Sequence, residues 1–158
     1  MPAAEAQDTA VDAVRKSLAS EASLNYQDAI DVIQPVLAGS PDGYIVNLRM
    51  GWLHYLVGKQ STALNHYVKA INVAPRSIEA RNGYVLPLLA LSRYSDAEKA
   101  CRQVLIIDPK NYYANLRLVY SLRLQDKLEE ATKLAPQMLI LYPSDVSFLL
   151  EHALVLTA

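Results

Sequence analysis

The side chains that most often take part in catalysis are few in this chain and lie far apart. The histidines are His54, His66 and His152, and the single cysteine is Cys101. No histidine has a cysteine, aspartate or glutamate at metal-ligand spacing, so we expect no metal and no cofactor. No phosphate-binding glycine loop, nucleophile elbow or paired-histidine motif occurs. The sequence therefore predicts no catalytic residues, and we do not expect an enzyme.

Charge and composition exclude further classes of function. The 158 residues carry a formal net charge of −1, which gives no bulk attraction to nucleic acid or to an anionic membrane. The longest apolar stretch, near Val85 to Leu91, contains Pro87 and is far shorter than the roughly 20 residues that span a bilayer. An apolar fraction of 52% with 20% charged residues is typical of a folded globular domain.

Two residue types recur along the chain with one period. Four prolines recur at a constant spacing of 34 positions, at Pro41, Pro75, Pro109 and Pro143. An alanine stands twelve positions before each of them, at Ala29, Ala63, Ala97 and Ala131. Two independent columns that share one period over four copies indicate an internal structural repeat.

Each period contains two helical patterns. In the second copy, Tyr44 to Gly58 and Ser61 to Val73 each carry an apolar face, and the repeat proline ends the second helix. Small residues such as Gly51 and Ala63 allow the two helices to pack closely. The predicted N-caps of the following helices are Ser77, Asn111 and Asp145. Three further prolines fall inside predicted helices, at Pro35, Pro87 and Pro136.

This pattern resembles the tetratricopeptide repeat (TPR) family, whose unit has about 34 residues. The second copy matches the family pattern at Asn47, Met50, Gly51, His54, Gly58, Ala63, Tyr67, Ala70 and Pro75. The third copy departs at Val85 and Cys101, and the fourth at Val119 and Ala135. The resemblance implies an all-α fold, a right-handed superhelix (α-solenoid) of about four antiparallel helix-turn-helix hairpins plus a C-terminal helix. His54 and Cys101 then take packing positions.

The resemblance also divides the chain. We expect a flexible N-terminal segment at 1–9 and four units at 10–43, 44–77, 78–111 and 112–145. Residues 146–158 form an additional or capping helix, or the start of a further repeat. This last helix is apolar nearly all round, so something is expected to cover it: further chain, another domain, or a second copy in a homodimer.

The resemblance implies that the first helix of every hairpin lines a concave groove. The residues expected to bind a partner there are Arg15, Ile45, Leu48, Arg49, Trp52, Tyr55, Asn82, Leu86, Tyr113, Leu116, Arg117, Tyr120 and Arg123. Arg15, Arg49 and Arg117 share one repeat position, and only Gly83 interrupts that ladder. Arginine, tryptophan and tyrosine are enriched at interface hot spots, so we expect a partner peptide or helix with apolar and acidic residues.

The predicted function is a protein–protein interaction scaffold. Two alternatives stay open: a docking or regulatory segment of a larger enzyme truncated at residue 158, and a secretion-type chaperone that holds an apolar segment. The carboxylate clamp of family members that bind cytosolic chaperone tails is matched here only at Arg117. The compartment is unknown, cytoplasmic or, from Ala4-Glu5-Ala6, which resembles the end of a signal peptide, periplasmic or secreted.

Overall fold

The computed structural model describes residues 3–158, with side chains from residue 9 onward. Within these residues the fold is all-α, as predicted. The helices are α1 (Ala3–Ala22), α2 (Tyr26–Gly39), α3 (Tyr44–Leu56), α4 (Gln60–Val73), α5 (Ile78–Ala90), α6 (Tyr94–Ile107), α7 (Tyr112–Arg123), α8 (Leu128–Leu141) and α9 (Val146–Leu156). Of the expected flexible segment 1–9, residues 1 and 2 lie outside the described residues, as do the side chains of Ala4-Glu5-Ala6.

The helices follow the period of the prolines. Four of them begin at Tyr44, Ile78, Tyr112 and Val146, each one period after the one before. The helices α2, α4, α6 and α8 each end two positions before a repeat proline. A proline cannot continue the hydrogen-bond ladder and restricts the residue before it, which explains this common end point. Pro35, Pro87 and Pro136 lie inside helices, as predicted.

The three predicted N-caps are confirmed. The Oγ of Ser77 accepts a hydrogen bond from the backbone N–H of Ala80 at 3.0 Å. Asn111 and Asp145 accept equivalent bonds at 3.1 and 2.9 Å, each from the residue three positions later. Each cap satisfies one N–H that the first turn of a helix leaves without a backbone partner. The starts of α5, α7 and α9 are therefore fixed by single side chains.

The turn between the two helices of each hairpin has one backbone conformation throughout. The residues with positive φ are Leu24 (61°), Gly58 (77°), Ser92 (56°) and Asp126 (60°), again one period apart. In the second hairpin, the N–H of Lys59 donates to the carbonyl of His54 at 2.8 Å, and the N–H of Gly58 donates to the carbonyl of Tyr55 at 3.1 Å. The other three turns have the same two bonds. This is the Schellman helix end, for which glycine is the usual residue.

The connection between consecutive hairpins is held by one polar side chain per repeat. The amide of Asn47 donates to the carbonyl of Pro41 at 2.8 Å, and the amide of Asn115 donates to the carbonyl of Pro109 at 3.2 Å. At the equivalent position, the Nε of Arg81 donates to the carbonyl of Pro75 at 2.8 Å. Pro41, Pro75 and Pro109 thus each end one helix and supply the acceptor that anchors the next.

By internal contacts the chain divides into two compact units, one ending at Pro87 and the other spanning Leu88–Ala158. The core of the first unit is formed by Ala29, Ile30, Ile33, Val46, Met50 and Leu53. The second unit buries side chains that include Leu118, Val119, Leu122, Ala131, Ala135, Met138 and Phe148. None of the described helices is both long and apolar enough to cross a membrane.

Glycine allows close packing in the first unit. The ring of Tyr67 on α4 is buried against the backbones of α3 and α5. A Cβ atom at Gly51 would lie 3.0 Å from this ring, and one at Gly83 would lie 2.3 Å from it. Gly83 interrupts the predicted arginine ladder because the tyrosine ring fills the space that a side chain would need.

Candidate partner-binding site

In the first unit, Arg49 of the predicted groove is bound by its own chain. Its guanidinium forms an ion pair with Glu21 on α1 and donates from Nη2 to the carbonyl of Ser17 at 2.9 Å. Its Nε donates to the hydroxyl of Ser17 at 3.1 Å. The Arg49 side chain is only 10% exposed. Arg49 therefore joins α3 to α1, and a partner carboxylate would have to compete with Glu21 for it.

Trp52 is fixed by the same glutamate. Its indole N–H donates to Glu21 Oε1 at 2.7 Å, and its ring lies 5.7 Å from that of Tyr55, centroid to centroid. The indole forms one wall of a pocket of about 410 Å³ with Leu18, Glu21, Ala22, Leu24, Tyr26 and Leu56. The tryptophan is thus a rigid, half-buried aromatic surface beside an open apolar pocket, as an interface anchor requires.

In the second unit, Arg123 pairs with a glutamate of the last helix. Its Nε lies 2.9 Å from Glu151 Oε2, and its Nη2 lies 3.2 Å from Oε1. Hydrogen bonding to Glu151 raises the pKa of Arg123. The guanidinium also lies over the ring of Tyr120, 5.4 Å from its centroid. Tyr120 is therefore held between α6, where it meets the edge of Tyr94, and this ion pair.

Arg117 and Tyr113 form a second cation–π contact on α7. The guanidinium carbon of Arg117 lies 5.2 Å from the centroid of the Tyr113 ring, and Tyr113 is 57% exposed. Such a contact orients the arginine. Arg117 also lines an open pocket.

That pocket has a volume of about 350 Å³ and lies wholly within the second unit. It is lined by Leu89, Leu116, Arg117, Tyr120, Ser147, Leu150 and Glu151. The predicted groove residues Leu116, Arg117 and Tyr120 are thus brought together. The three side chains from α9 were not predicted. The repeat itself carries the signal for them, since Ser147, Leu150 and Glu151 stand one period after Tyr113, Leu116 and Arg117.

The remaining predicted residues lie in the first unit. Arg15 pairs with Asp12 one turn earlier on the same helix, and its side chain is 75% exposed. Ile45 is exposed. Four others are half-buried, namely Leu48, Tyr55, Asn82 and Leu86. No predicted residue is fully buried, so each has some surface to offer. Their role in binding remains a prediction.

Two of the histidines and the cysteine pack within the fold. His54 is buried, as predicted, and its ring stacks on that of His66 with centroids 5.3 Å apart. Cys101 is fully buried, and burial raises the pKa of its thiol to about 12, so the nucleophilic thiolate is scarce at neutral pH. Among the described residues, no group of three histidine, cysteine, aspartate or glutamate side chains is placed to hold a metal.

Solved structures resemble this fold. MamA of Desulfovibrio magneticus RS-1 is 16% identical over 94% of this chain and 84% of its own, with a TM-score of 0.85. A tetratricopeptide repeat protein from Parabacteroides merdae is 18% identical over 90% of this chain, which spans 56% of that protein, with a TM-score of 0.82. The second TPR domain of human RPAP3, solved in complex with the HSP70 peptide SGPTIEEVD, is 21% identical over 72% of this chain and 98% of its own, with a TM-score of 0.65.

Comparison by sequence finds no match, whereas comparison by structure does. No protein-family model matches the sequence, and no curated protein matches it. The period of the prolines, the repeated Schellman turns and these structural neighbours agree. The chain has the tetratricopeptide-repeat fold.

Proposed function

We propose that this chain is a protein-interaction scaffold that holds a peptide or helix of a partner protein. The observation that carries the proposal is the pocket formed by Leu116, Arg117 and Tyr120 of α7 with Leu150 of α9. It offers an aromatic ring, aliphatic side chains and a guanidinium on one open surface. These are the residue types that supply most of the binding energy at protein interfaces.

The anchors of this pocket are held in place before any partner arrives. Tyr120 is fixed by Arg123 and by the edge of Tyr94, and Arg117 is oriented by Tyr113. Pre-ordered side chains lose little conformational entropy on binding, which favours affinity. An apolar side chain of the partner would enter between Leu116 and Leu150, and a neighbouring carboxylate would meet Arg117.

The first unit supports the same proposal with a second surface. The pocket beside Trp52 is apolar, and Glu21 holds the indole ring. Because Arg49 is already paired with Glu21, its charge serves to stabilise the fold. The apolar contact with the partner would be made by Trp52. The solved RPAP3 domain holds a short peptide, which supports peptide binding as a use of this fold.

A peptide-display selection tests the proposal. Peptides selected against the whole chain should bind Tyr120→Ala and Leu150→Ala variants at least about tenfold more weakly, the effect of losing one hot-spot contact. The matched controls are Ile106→Ala and Ile140→Ala, which remove exposed apolar side chains of α6 and α8 that line neither pocket. Affinity that is unchanged by Tyr120→Ala, by Leu150→Ala and by Trp52→Ala, which removes the indole of the first unit's pocket, would place binding elsewhere and overturn the proposal.

A further inference from the structure

One side of α9 is open, although the same side of α3 and α7 is covered. In the second hairpin, His66 of α4 lies 2.9 Å from Asn47 Oδ1 and stacks on His54 of α3. Tyr67, also of α4, lies against Gly51. The three α3 positions mark the side of a first helix that the second helix of its hairpin covers. We call this side the hairpin face.

The hairpin face is buried in α7 and exposed in α9. In α7 it consists of Asn115, Val119 and Leu122. All three are at most 2% exposed. One period later, in α9, it consists of Leu149, Ala153 and Leu156. Leu149 is 46% exposed, Leu156 is 63% exposed, and Ala153 is exposed too. The other sides of α9 are packed, since Phe148 and Val155 are buried. The part of the chain that the structure describes supplies no second helix to this face of α9.

The central positions of the hairpin interface are complementary in size. The first-helix residue and the second-helix residue 16 positions later are Ser17 and Ile33, Gly51 and Tyr67, Val85 and Cys101, and Val119 and Ala135. All eight are buried. A small first residue occurs with a large second one, and valine occurs with a small second one, as close packing requires. Ala153 is close to serine in size, so the residue that fits over it has the size of isoleucine or leucine.

The repeat also gives the rest of the covering pattern. Four positions before the central residue of each second helix stands an alanine, at Ala29, Ala63, Ala97 and Ala131. All four are fully buried. Three positions after the central residue stand Val36, Ala70, Val104 and Met138. Residues at i, i+4 and i+7 form one stripe along a helix. The helix that fits α9 therefore has an alanine, an isoleucine or leucine four positions later, and an apolar residue three positions further on.

A second copy of this chain has no free helix of this kind. The alanine and the central residue of α2, α4, α6 and α8 are all buried in the chain's own hairpins. A second copy could present one of these stripes only by opening a hairpin, which would expose its core to water. The occupant that fits this face is therefore a helix of a different protein.

We propose that the hairpin face of α9 docks an amphipathic helix of a partner protein with this alanine, isoleucine-or-leucine and apolar pattern. The partner helix completes a fifth hairpin between two molecules and covers Leu149 and Leu156. Its central side chain rests over Ala153, as Ile33 does at the position of Ser17. The face shares no residue with the pockets of Tyr120 and Trp52, so the inference does not depend on the proposed function.

The test uses a fluorescein-labelled helical peptide of about 18 residues, long enough to form a helix. It has alanine, isoleucine and valine at the spacing of Ala29, Ile33 and Val36, with glutamate, lysine and glutamine elsewhere. A second peptide has alanine in place of the isoleucine. Anisotropy titration of the whole chain should show at least about tenfold weaker binding of the second peptide. Ala153→Val fills the space for the isoleucine and should weaken the first peptide at least about fivefold.

Two further variants remove the apolar rim of the face. Leu149→Gln and Leu156→Gln change exposed side chains, so the fold is retained, and each should weaken the first peptide at least about fivefold. The matched control is Leu154→Gln, which changes a leucine that is 37% exposed on the far side of α9 from Leu149. This variant should bind the first peptide within about twofold of the parent chain.

Three results would overturn the proposal. The first is equal binding of the two peptides, and the second is an equal effect of Leu149→Gln and Leu154→Gln. Loss of the first peptide in Tyr120→Ala is the third, because it would assign the peptide to the other pocket. Sedimentation of the chain alone should show a monomer. A dimer that Leu149→Gln dissociates would show that a second copy covers the face, which also contradicts the proposal.

Discussion

Arg123 on α7 binds Glu151 on α9, and three periods earlier Glu21 on α1 binds Arg49 on α3 with the charges exchanged. Glu21 stands at the repeat position of Arg123, and Arg49 stands at that of Glu151. In both pairs the two residues are 28 positions apart and join consecutive first helices. The geometry of the contact is thus a property of the repeat, and the direction of its charges is not.

This relationship predicts that the charges of the second pair can be exchanged. Arg123→Glu alone leaves two carboxylates in a site where the side chains are only 17% and 12% exposed. We expect a loss of about 2 kcal/mol in the free energy of unfolding. Arg123→Glu/Glu151→Arg should regain most of it, because the first unit already contains that arrangement. Urea unfolding measures both values, and a double variant as unstable as the single one would contradict the prediction.

Replacement of Gly83 tests the packing of Tyr67. A methyl group at Gly83 would lie 2.3 Å from the tyrosine ring, so Gly83→Ala should lower the free energy of unfolding by about 2 kcal/mol through overpacking. The control is Gly39→Ala, whose added carbon meets nothing within 4 Å and whose position at the end of α2 favours alanine. Thermal unfolding compares them. Similar melting temperatures for the two variants would show that the ring is not confined.

The Schellman turns predict a loss of stability when a side chain is added at the positive-φ position and a gain when one is removed. Gly58→Ala places a Cβ at a φ of 77° and should cost about 1 kcal/mol. Ser92→Gly relieves a φ of 56° and should raise the free energy of unfolding by about 0.5 kcal/mol, after the entropy of glycine is subtracted. Urea unfolding of each variant measures the sign. A loss of stability in Ser92→Gly would mean that its side chain matters more than its backbone.

The stacked histidines predict a loss of stability in mild acid. His66 Nδ1 lies 2.9 Å from Asn47 Oδ1, and burial, aided by the charges of His54 and Lys69, lowers the pKa of His66 to about 4 from 6.5. Burial, with Lys59, lowers the pKa of His54 too. As pH falls through 6.5 the unfolded chain takes up protons that the folded chain does not. Stability is therefore full above pH 6.5 and declines toward pH 4.

For His66 we expect a loss of about 1 kcal/mol between pH 7.5 and pH 5, with allowance for solvent screening of the partly exposed ring. His66→Gln removes the titrating group and keeps an amide that can bond to Asn47. Urea unfolding at the two pH values should show a smaller decline for this variant than for the parent chain. An equal decline in both would show that other groups cause it.

The sequence was sufficient for the fold because the repeat prolines and N-caps act locally. Pro41 and its equivalents end helices by their own covalent structure, and Ser77, Asn111 and Asp145 cap helices three positions away. Neither effect needs a distant partner. The period alone therefore predicted the helices, and the structure follows it.

The ion pairs were harder to predict from the sequence than the helices. That Glu21 faces Arg49 follows from packing between two helices that are not adjacent in sequence, and a glutamate on a polar face gives no sign of this. Three of the four turns were hidden for another reason, because Leu24, Ser92 and Asp126 adopt positive φ without the glycine that usually indicates it. The α9 side of the Tyr120 pocket could have been found by continuing the period into a fifth copy.

The common turn explains how chains of this fold can differ in their number of repeats. Because each hairpin turns by the same two backbone hydrogen bonds, the turn keeps one conformation with leucine, glycine, serine or aspartate at its positive-φ position. Removal of one whole period between two equivalent turns would join a helix end to the following helix in an unchanged conformation. Duplication of a hairpin would meet the same condition. We therefore expect this fold to tolerate the deletion or insertion of whole repeats.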